Sequence, residues 1–429
     1  MLPTIKDKRL RTLKINAYFL AAALGCVGYV QAQVVASGAN KNLLGQRNVI
    51  TTSVPFLTIT PDAKSAGMGD AGCAADPDAN AIHWNVGKLS FIEKKAGVSL
   101  SAAPWLRQLV PDVWFYYLSG YNKFGKDERS TLAASLRYFT LGEIQFTDER
   151  GDPMGTDQPQ EFAFDVAYSQ KLSEKLGVGV AMRFINSRLV SRGVYNGVEI
   201  KPGIAGAGDI GIYYKDKTKI SGKNVDFSLG ANISNMGSKI TYTTDANRDF
   251  IPANLRLGTQ WKFDIDDYNQ LSILVDFNKL LVPTPQYAYL QTADGKEDSI
   301  DQDGNSYIIG RKLDDSPVVA GMFKSFGDAP GGFKEEMKEF TTSIGLEYWY
   351  DKQFAVRAGY FNEADTKGGR KYATFGIGLR YNVFGIDAAY LQPFTQRHPL
   401  QNTVRFSLLF DIDAFKNQSE KAKPVVKPN

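Results

Sequence analysis

The sequence predicts an all-β fold, a transmembrane antiparallel β-barrel of about 14 strands. Three observations carry that reading: ten-residue stretches that alternate apolar and polar through the last two-thirds of the chain, links that alternate short and long, and a secretion signal in front. Val225, Phe227, Leu229, Ala231 and Ile233 share one face of a strand, while Asp226, Ser228, Gly230, Asn232 and Ser234 share the other. A strand points successive side chains to opposite faces. A long run of such strands, each able to cross a bilayer at a tilt, is the pattern of a membrane barrel.

Residues 1–32 read as a signal peptide. Lys6, Lys8, Arg9, Arg11 and Lys14 form a positive region, 15–30 is mostly apolar, and Val30-Gln31-Ala32 suits cleavage before Gln33. A lipoprotein signal at Leu24-Gly25-Cys26 competes, but the apolar run continues past Cys26 and Ala23 is a poor lipobox start. Removing 1–32 takes away five basic residues and one acid, leaving 45 of each, so the net charge of +4 belongs to the signal. Nothing in that balance points to a nucleic-acid partner. One cysteine remains, Cys73, so no internal disulfide forms. His83 and His398 are far apart, and no zinc spacing exists. A mean hydropathy of −0.27 is ordinary for a barrel, where only alternate residues meet lipid.

The predicted strands are 96–106, 112–121, 130–141, 160–170, 176–190, 205–215, 224–235, 253–264, 269–281, 338–350, 353–363, 370–382, 385–392 and 401–412. The links 172–175, 264–268, 351–352 and 381–384 are short, whereas 141–160, 191–204, 237–251 and 282–337 are long. Short periplasmic turns and long outer loops alternate in this way, and an even count returns the C-terminus to the periplasm. The division is therefore a signal at 1–32, an inner segment at 33–95, the barrel at 96–412 and a periplasmic tail at 413–429. A soluble two- or three-domain β protein also alternates, but does not need this strand length, loop asymmetry and signal together.

The face opposite the apolar one carries Arg137, Asp165, Arg183, Arg256, Asp276, Glu347, Arg357, Arg380, Asp387 and Arg405. Mixed signs imply a lumen packed with ion pairs rather than a wide pore. Gly230, on this inner face, is expected to accept serine more readily than Leu229, on the lipid face, accepts arginine.

Residues 33–95 do not alternate. Small residues and aspartates dominate, which suits a hatch threaded into the barrel, because glycine and alanine permit close approach. Its marked residues are Asp70, Asp76, Asp78, Trp84 and Asn85. The four polar ones suggest a calcium site, but aspartate and asparagine are also turn formers and caps, and capping is the preferred reading. No metal or other cofactor is expected. His83 beside Trp84 reads as a packed residue.

The run PFLTITPDAKSAGMGDAGCAADPDANAIHWN at 55–85 resembles the N-terminal hatch of the FadL-like outer-membrane transporter superfamily and, within it, the PorV (LptO) family of the type IX secretion system. The likeness continues through KEFTTSIGLEYWYDKQFAVRAGYF at 338–361 and covers nearly the whole mature chain. Val86 departs from the Asn-Pro that is usual in the superfamily.

The resemblance implies a bacterial outer-membrane component of type IX secretion that is not an enzyme. It implies a shuttle that binds the C-terminal signal domain of secreted cargo at the translocon pore protein (SprA/Sov-like). The shuttle delivers that cargo to a sortase-like attachment complex (PorU-like), amid outer-membrane lipids and lipopolysaccharide. The alternative is a FadL-like passive transporter of hydrophobic small molecules. A mixed-charge lumen disfavours a greasy path, and long outer loops favour a protein partner. An outer-membrane hydrolase ranks below both, because no G-x-S-x-G elbow or H-E-x-x-H pattern is present.

The loop 282–337 is the first candidate for cargo contact. It carries Pro283, Pro285, Tyr287, Tyr289 and Leu290, then an acidic run at 294–303. A short helix is expected at 317–326, with Val318, Met322 and Phe326 on one apolar face. Asp301-Gln302-Asp303-Gly304-Asn305 resembles part of a calcium loop, but Ser299 and Gly310 stand at its first and last ligand positions, so it reads as a solvated acidic loop. The same loop asymmetry fixes an orientation. In a Cys73→Ser background on intact cells, a cysteine at Ser299 should react with an impermeant thiol reagent and one at Lys352 should not; the reverse pattern inverts the barrel.

Overall fold

The computed structural model describes residues 48–415 apart from 108–109, 148–149, 151, 191–192, 196–197, 221, 244–247, 292–296, 299–307, 313–314 and 396–397. The signal peptide, residues 33–47, the tail beyond Phe415 and most of the acidic run at 294–303 lie outside the described residues.

Fourteen antiparallel strands close into one barrel. They are β1 (Ala96–Pro104), β2 (Trp114–Phe124), β3 (Ser130–Thr140), β4 (Gln160–Lys171), β5 (Leu176–Arg188), β6 (Gly203–Ile220) and β7 (Lys223–Gly237). The second half comprises β8 (Asn254–Asp264), β9 (Asn269–Leu280), β10 (Thr341–Tyr350), β11 (Phe354–Asn362), β12 (Lys371–Tyr381), β13 (Phe384–Pro393) and β14 (Thr403–Asp411). Each pairs with its sequence neighbour, and β1 closes on β14 through pairs such as Val98 with Phe410. Every predicted strand is present, with ends shifted by a few residues. Closure removes the sheet edges, so no strand presents unpaired backbone groups to hydrocarbon.

Alternation decides which face each side chain takes. Leu100, Phe164, Leu229, Leu257 and Phe406 point outward and remain 42–53% exposed, as lipid-facing side chains do without lipid present. Their neighbours Ser101, Asp165, Ser228, Arg256 and Ser407 are buried in the lumen. Val225 departs from the expected pattern: at the turn end of β7 it is fully covered. The short turns use left-handed residues, with Asp351 and Lys352 both at φ 52° between β10 and β11. Positive φ at both central positions matches the twist of the strands they join.

The register is broken once, between β6 and β7, where Gly208 pairs with Met236 but Ile210 pairs with Ile233. Asn235 sits in the extra position at φ 60°. A bulge of this kind re-aims a side chain. Here it turns Asn235 inward, where its N–H donates to Asp209 Oδ1 at 2.8 Å and its amide donates to the Pro252 carbonyl at 2.9 Å.

The lumen is occupied by residues 54–92, most of which are buried. Val54, Phe56, Leu57, Ile82, Val86 and Leu89 pack with Phe115, Tyr117, Phe139, Ala163, Ile185 and Ala205 on the inner faces of β2 to β6. On the other side the contact is glycine against backbone. Gly69, at φ 68°, is so close to β11 that a Cβ there would lie 2.6 Å from the Tyr360 N and O atoms. Serine at Gly230, expected to be milder than arginine at Leu229, nonetheless meets a close contact. A Cβ at Gly230 would stand 2.5 Å from the Cys73 carbonyl oxygen and 2.9 Å from the Asn85 amide nitrogen. Its inner neighbour is protein backbone, not space.

Leu229→Arg and Leu257→Arg should each lower barrel stability by about 2–4 kcal/mol if they sit near the bilayer midplane. Reversible denaturant unfolding in liposomes reads this. Gly230→Ser should leave the outer face intact yet speed hydrogen exchange at residues 72–76. Unchanged exchange there would show that the lumen gives way without cost.

Candidate functional site in the lumen and at the loop end

Two groups of inward charges hold the barrel wall together. Asp165 stands between Arg137 (3.1 Å) and Arg183, and takes the Ser135 hydroxyl at 2.7 Å. Arg183 continues to Asp209 at 3.0 Å. On the far wall Arg357 bridges Glu347 at 2.6 Å and Asp387 at 2.8 Å, and Arg380 meets Asp387 at 2.7 Å. The packed ion-pair interior expected from sequence is therefore present. Each of these carboxylates joins strands, because its partners lie directly across the ladder, diagonally on the adjacent strand, or one strand further on.

Other inward groups receive the inner segment instead. Gly72 N–H and Cys73 N–H both donate to Asp276 Oδ2 at 2.7 Å. Gly69 N–H donates to Thr374 Oγ1 at 2.8 Å, and Ala63 N–H to Ser407 Oγ at 2.9 Å. Arg137 also donates to the Leu57 carbonyl at 3.0 Å. Val86 N–H donates to Asn232 Oδ1 at 3.3 Å. A proline at this position has no N–H to give, so the departure at Val86 is matched by a bond that proline would forfeit.

The five marked residues of the inner segment are placed separately. Asp70 accepts the Tyr372 hydroxyl at 2.6 Å on β12. Asp76 pairs with Lys262 at 3.0 Å and Lys215 at 3.7 Å near the turn end. Asp78 pairs with Lys64 at 3.3 Å and accepts Asn80 N–H at 2.8 Å. Asn85 caps the helical turn Val86–Phe91 by accepting Gly87 N–H at 2.9 Å. Trp84 donates to Asp62 Oδ1 at 2.6 Å. Asp78 and Asn85 thus act as turn and cap formers, and Asp70 and Asp76 anchor the segment to the wall. Among the described residues no group of three or more histidine, cysteine or carboxylate side chains is positioned to hold a metal ion. His83 is buried against Trp84 at 4.8 Å.

Sequence reasoning missed Asp62, which caps Ala63–Ala66 through Ser65 N–H at 2.8 Å and fixes Trp84. It also missed Lys88, whose buried ammonium is held by the carbonyls of Gly72 at 2.5 Å and Ala75 at 3.3 Å. Neither has a sequence signal beyond its residue type.

At the loop end a third charge group ties the outer loops down. Lys279 on β9 meets Glu336 at 2.7 Å and Glu339 at 2.5 Å, and Lys367 meets Glu339 at 2.9 Å and Glu335 at 2.6 Å. Burial works against the charged form of Glu335, but Lys367 and the Gly331 N–H outweigh it and hold the carboxyl below its ordinary value. The predicted helix is present at Val318–Lys324. Its exposure differs from the expected face. Val318 and Met322 are half-buried, whereas Val319, Phe323 and Phe326 are 65%, 76% and 48% exposed. The helix turns because Gly321 packs onto Phe250 and Pro283. Phe333 (78%) and Met337 (50%) add to the exposed apolar surface in the next turn of the loop. Tyr287 and Tyr289 lie on a strand at Gln286–Gln291 in the same loop.

Removing the anchor at Asp276 tests how the inner segment is held. Asp276→Ala leaves two buried N–H groups unpaired, at about 1.5–3 kcal/mol for each bond to a charged group. Hydrogen exchange at residues 70–75 should accelerate while the heat-modifiable barrel band persists. Exchange equal to that of the unaltered protein would assign the anchoring to the glycine contacts alone.

Comparison with solved structures returns barrels of low identity. The Pseudomonas putida toluene transporter TodX is 12% identical, with a TM-score of 0.46, covering 81% of this chain and 96% of that one. The Ralstonia pickettii toluene transporter TbuX is 12% identical, with a TM-score of 0.43, covering 81% and 97%. A Pseudomonas aeruginosa FadL homologue is 11% identical, with a TM-score of 0.42, covering 85% and 99%. A comparison with curated protein sequences gave no match. The family model "Type IX secretion system protein PorV" matches residues 42–287, more than half of the chain. With its closed barrel and filled lumen, the chain belongs to the PorV family of the type IX secretion system.

Proposed function

We propose that this protein is an outer-membrane carrier of type IX secretion. It captures the C-terminal signal domain of exported cargo at the loop end of the barrel and hands it from the translocon pore to the surface attachment complex. The observation that carries this reading is the apolar surface at the loop end. Val319, Phe323, Phe326, Phe333 and Met337 stand exposed on short helical turns, the first held where Gly321 meets Phe250 and Pro283 and the second braced by the Lys279–Glu336–Glu339 group. Rigidly held exposed apolar side chains of this kind mark a protein contact. In this reading residues 48–92 are a standing hatch, because apolar packing on one wall and glycine contacts on the other leave no greasy path through the lumen. A passive route for hydrocarbons is disfavoured by the same inventory of paired charges.

A deletion strain should retain exported proteins inside the cell, with uptake of hydrophobic compounds unaffected. Normal surface display with lost uptake would select the transporter reading instead. For the contact itself, replacing Val319, Phe323 and Phe333 together by serine should weaken binding of a cargo C-terminal domain at least tenfold in a pull-down, without loss of the heat-modifiable band. Full capture by this variant would move the contact to the loops at 141–160 or 237–252.

A further inference from the structure

Between the inner segment and the wall of β8 to β12 lies a cleft of about 470 Å³, lined among others by Thr51, Thr60, Asp70, Trp84, Arg256, Asn278 and Tyr372. Its size is that of a binding pocket for a small ligand or a chain end. The register gives its depth. Asn254 pairs with Leu280 near the loops, while Arg256 pairs with Asn278 two residues further in, so Arg256, Asn278 and Trp84 form the floor. Below the floor the close glycine contacts at Gly69 and Gly345 shut the way to the turn end. The cleft is therefore blind and entered from the loop side.

Its floor carries a buried guanidinium that makes no direct ion pair. Arg256 is 6% exposed, and its hydrogen bonds run to neutral groups. They reach the His83 carbonyl at 2.6 Å, His83 Nε2 at 3.3 Å and the Asn254 amide oxygen at 3.2 Å, and the guanidinium stacks over Trp84 at 4.9 Å. No carboxylate lies within ion-pair distance of it among the described residues. Asp276, one inward position along, is engaged by Gly72 and Cys73. The other arginine lining the cleft, Arg370, is paired with Glu363 at 2.8 Å, and Lys367 is paired with Glu335 and Glu339. A buried guanidinium bonded only to neutral groups gains from an arriving anion, which supplies a charge-assisted partner.

The walls supply the complementary acceptors. Asn278 Oδ1 and Asp70 Oδ1 are buried and make no hydrogen bond. Along one side Ile50, Thr51 and Thr52 make no backbone hydrogen bond, between the bonds of Asn48 N–H to Thr366 and Ser53 N–H to Phe250. Unpaired acceptors above a guanidinium bonded only to neutral groups fit a ligand that ends in an anion and carries N–H donors behind it.

We propose that this cleft receives the carboxyl terminus of a polypeptide, with the terminal carboxylate on Arg256 and the preceding peptide N–H groups facing Asn278 and Asp70. The proposal rests on the cargo-capture reading for the source of that polypeptide. It adds a second contact, inside the lumen, to the apolar one at the rim.

A thermodynamic cycle tests it. Full-length purified protein in detergent is titrated with a cargo C-terminal domain bearing either its free carboxylate or a carboxamide in its place. Wild type should bind the carboxylate form at least tenfold more tightly, and Arg256→Gln should erase that difference while heat-modifiable mobility shows the barrel folded. Asn278→Asp, which brings a negative charge to the floor, should weaken only the carboxylate form and serves if Arg256→Gln misfolds. Equal binding of both forms to wild type overturns the cleft assignment and leaves cargo capture standing. Binding of neither form overturns both. Competition of the carboxylate form by inorganic phosphate supports an anion site. An equal effect of phosphate on the amide form would mean that no terminal carboxylate is read, and would overturn the proposal.

Discussion

The structure depends on satisfying the polar face of a closed ring. Lipid demands a barrel without edges, and alternation then places every second side chain in a lumen too narrow to leave those groups in bulk water. Asp165, Asp276, Glu347 and Asp387 are all nearly fully buried. Two solutions are used side by side. Where acid and base lie on neighbouring strands they neutralise each other, as Asp165 does with Arg137 and Arg183. Elsewhere the inner segment offers backbone groups, as Gly72 and Cys73 do for Asp276. The ring and its contents therefore form one hydrogen-bonded unit, and a change on the inner face is felt by the segment before it is felt by the wall.

This explains how much was legible in the sequence. The strands were readable because the bilayer imposes the same two-residue period on each of them, and Phe162, Phe164 and Val166 display it without reference to anything distant. The inward charges were readable as a set for the same reason. Their partners were not. Asn235 joins Arg183 and Asp209 through a bulge that no local pattern announces, and Asp276 meets residues some two hundred positions earlier. Gly230 shows the limit most clearly: its lack of a side chain looked like freedom and is a fit against Cys73. The helix at Val318–Lys324 was readable from its period, but its exposed face was not, since that depends on Phe250 and Pro283 meeting Gly321.

The loop end combines two properties that rarely coexist. Apolar side chains such as Phe323 and Phe333 are exposed, yet the loop that carries them is held by buried ion pairs on Lys279 and Lys367. A mobile apolar loop would lose much of any binding energy to ordering, whereas a braced one retains it. Bracing by charge rather than by apolar packing also leaves the apolar side chains available. Thr284, donating to Glu339 at 2.6 Å, and Asn48, donating to Glu335 at 3.2 Å, extend the brace to the base of the loop and to the start of the inner segment.

The inner segment itself is held unequally. Against β2 to β6 it is fixed by Phe56, Leu57 and Ile82 in a continuous apolar contact, which requires no matched geometry and tolerates little water. Against β8 to β12 it is held by hydrogen bonds to Asp276 and Thr374 and by close glycine contacts at Gly67 and Gly69, with the cleft beside them. Along that wall Arg256 bonds only to neutral groups and Asn278 Oδ1 and Asp70 Oδ1 lack partners, so the polar groups that line the cleft are the ones the proposed chain terminus would meet.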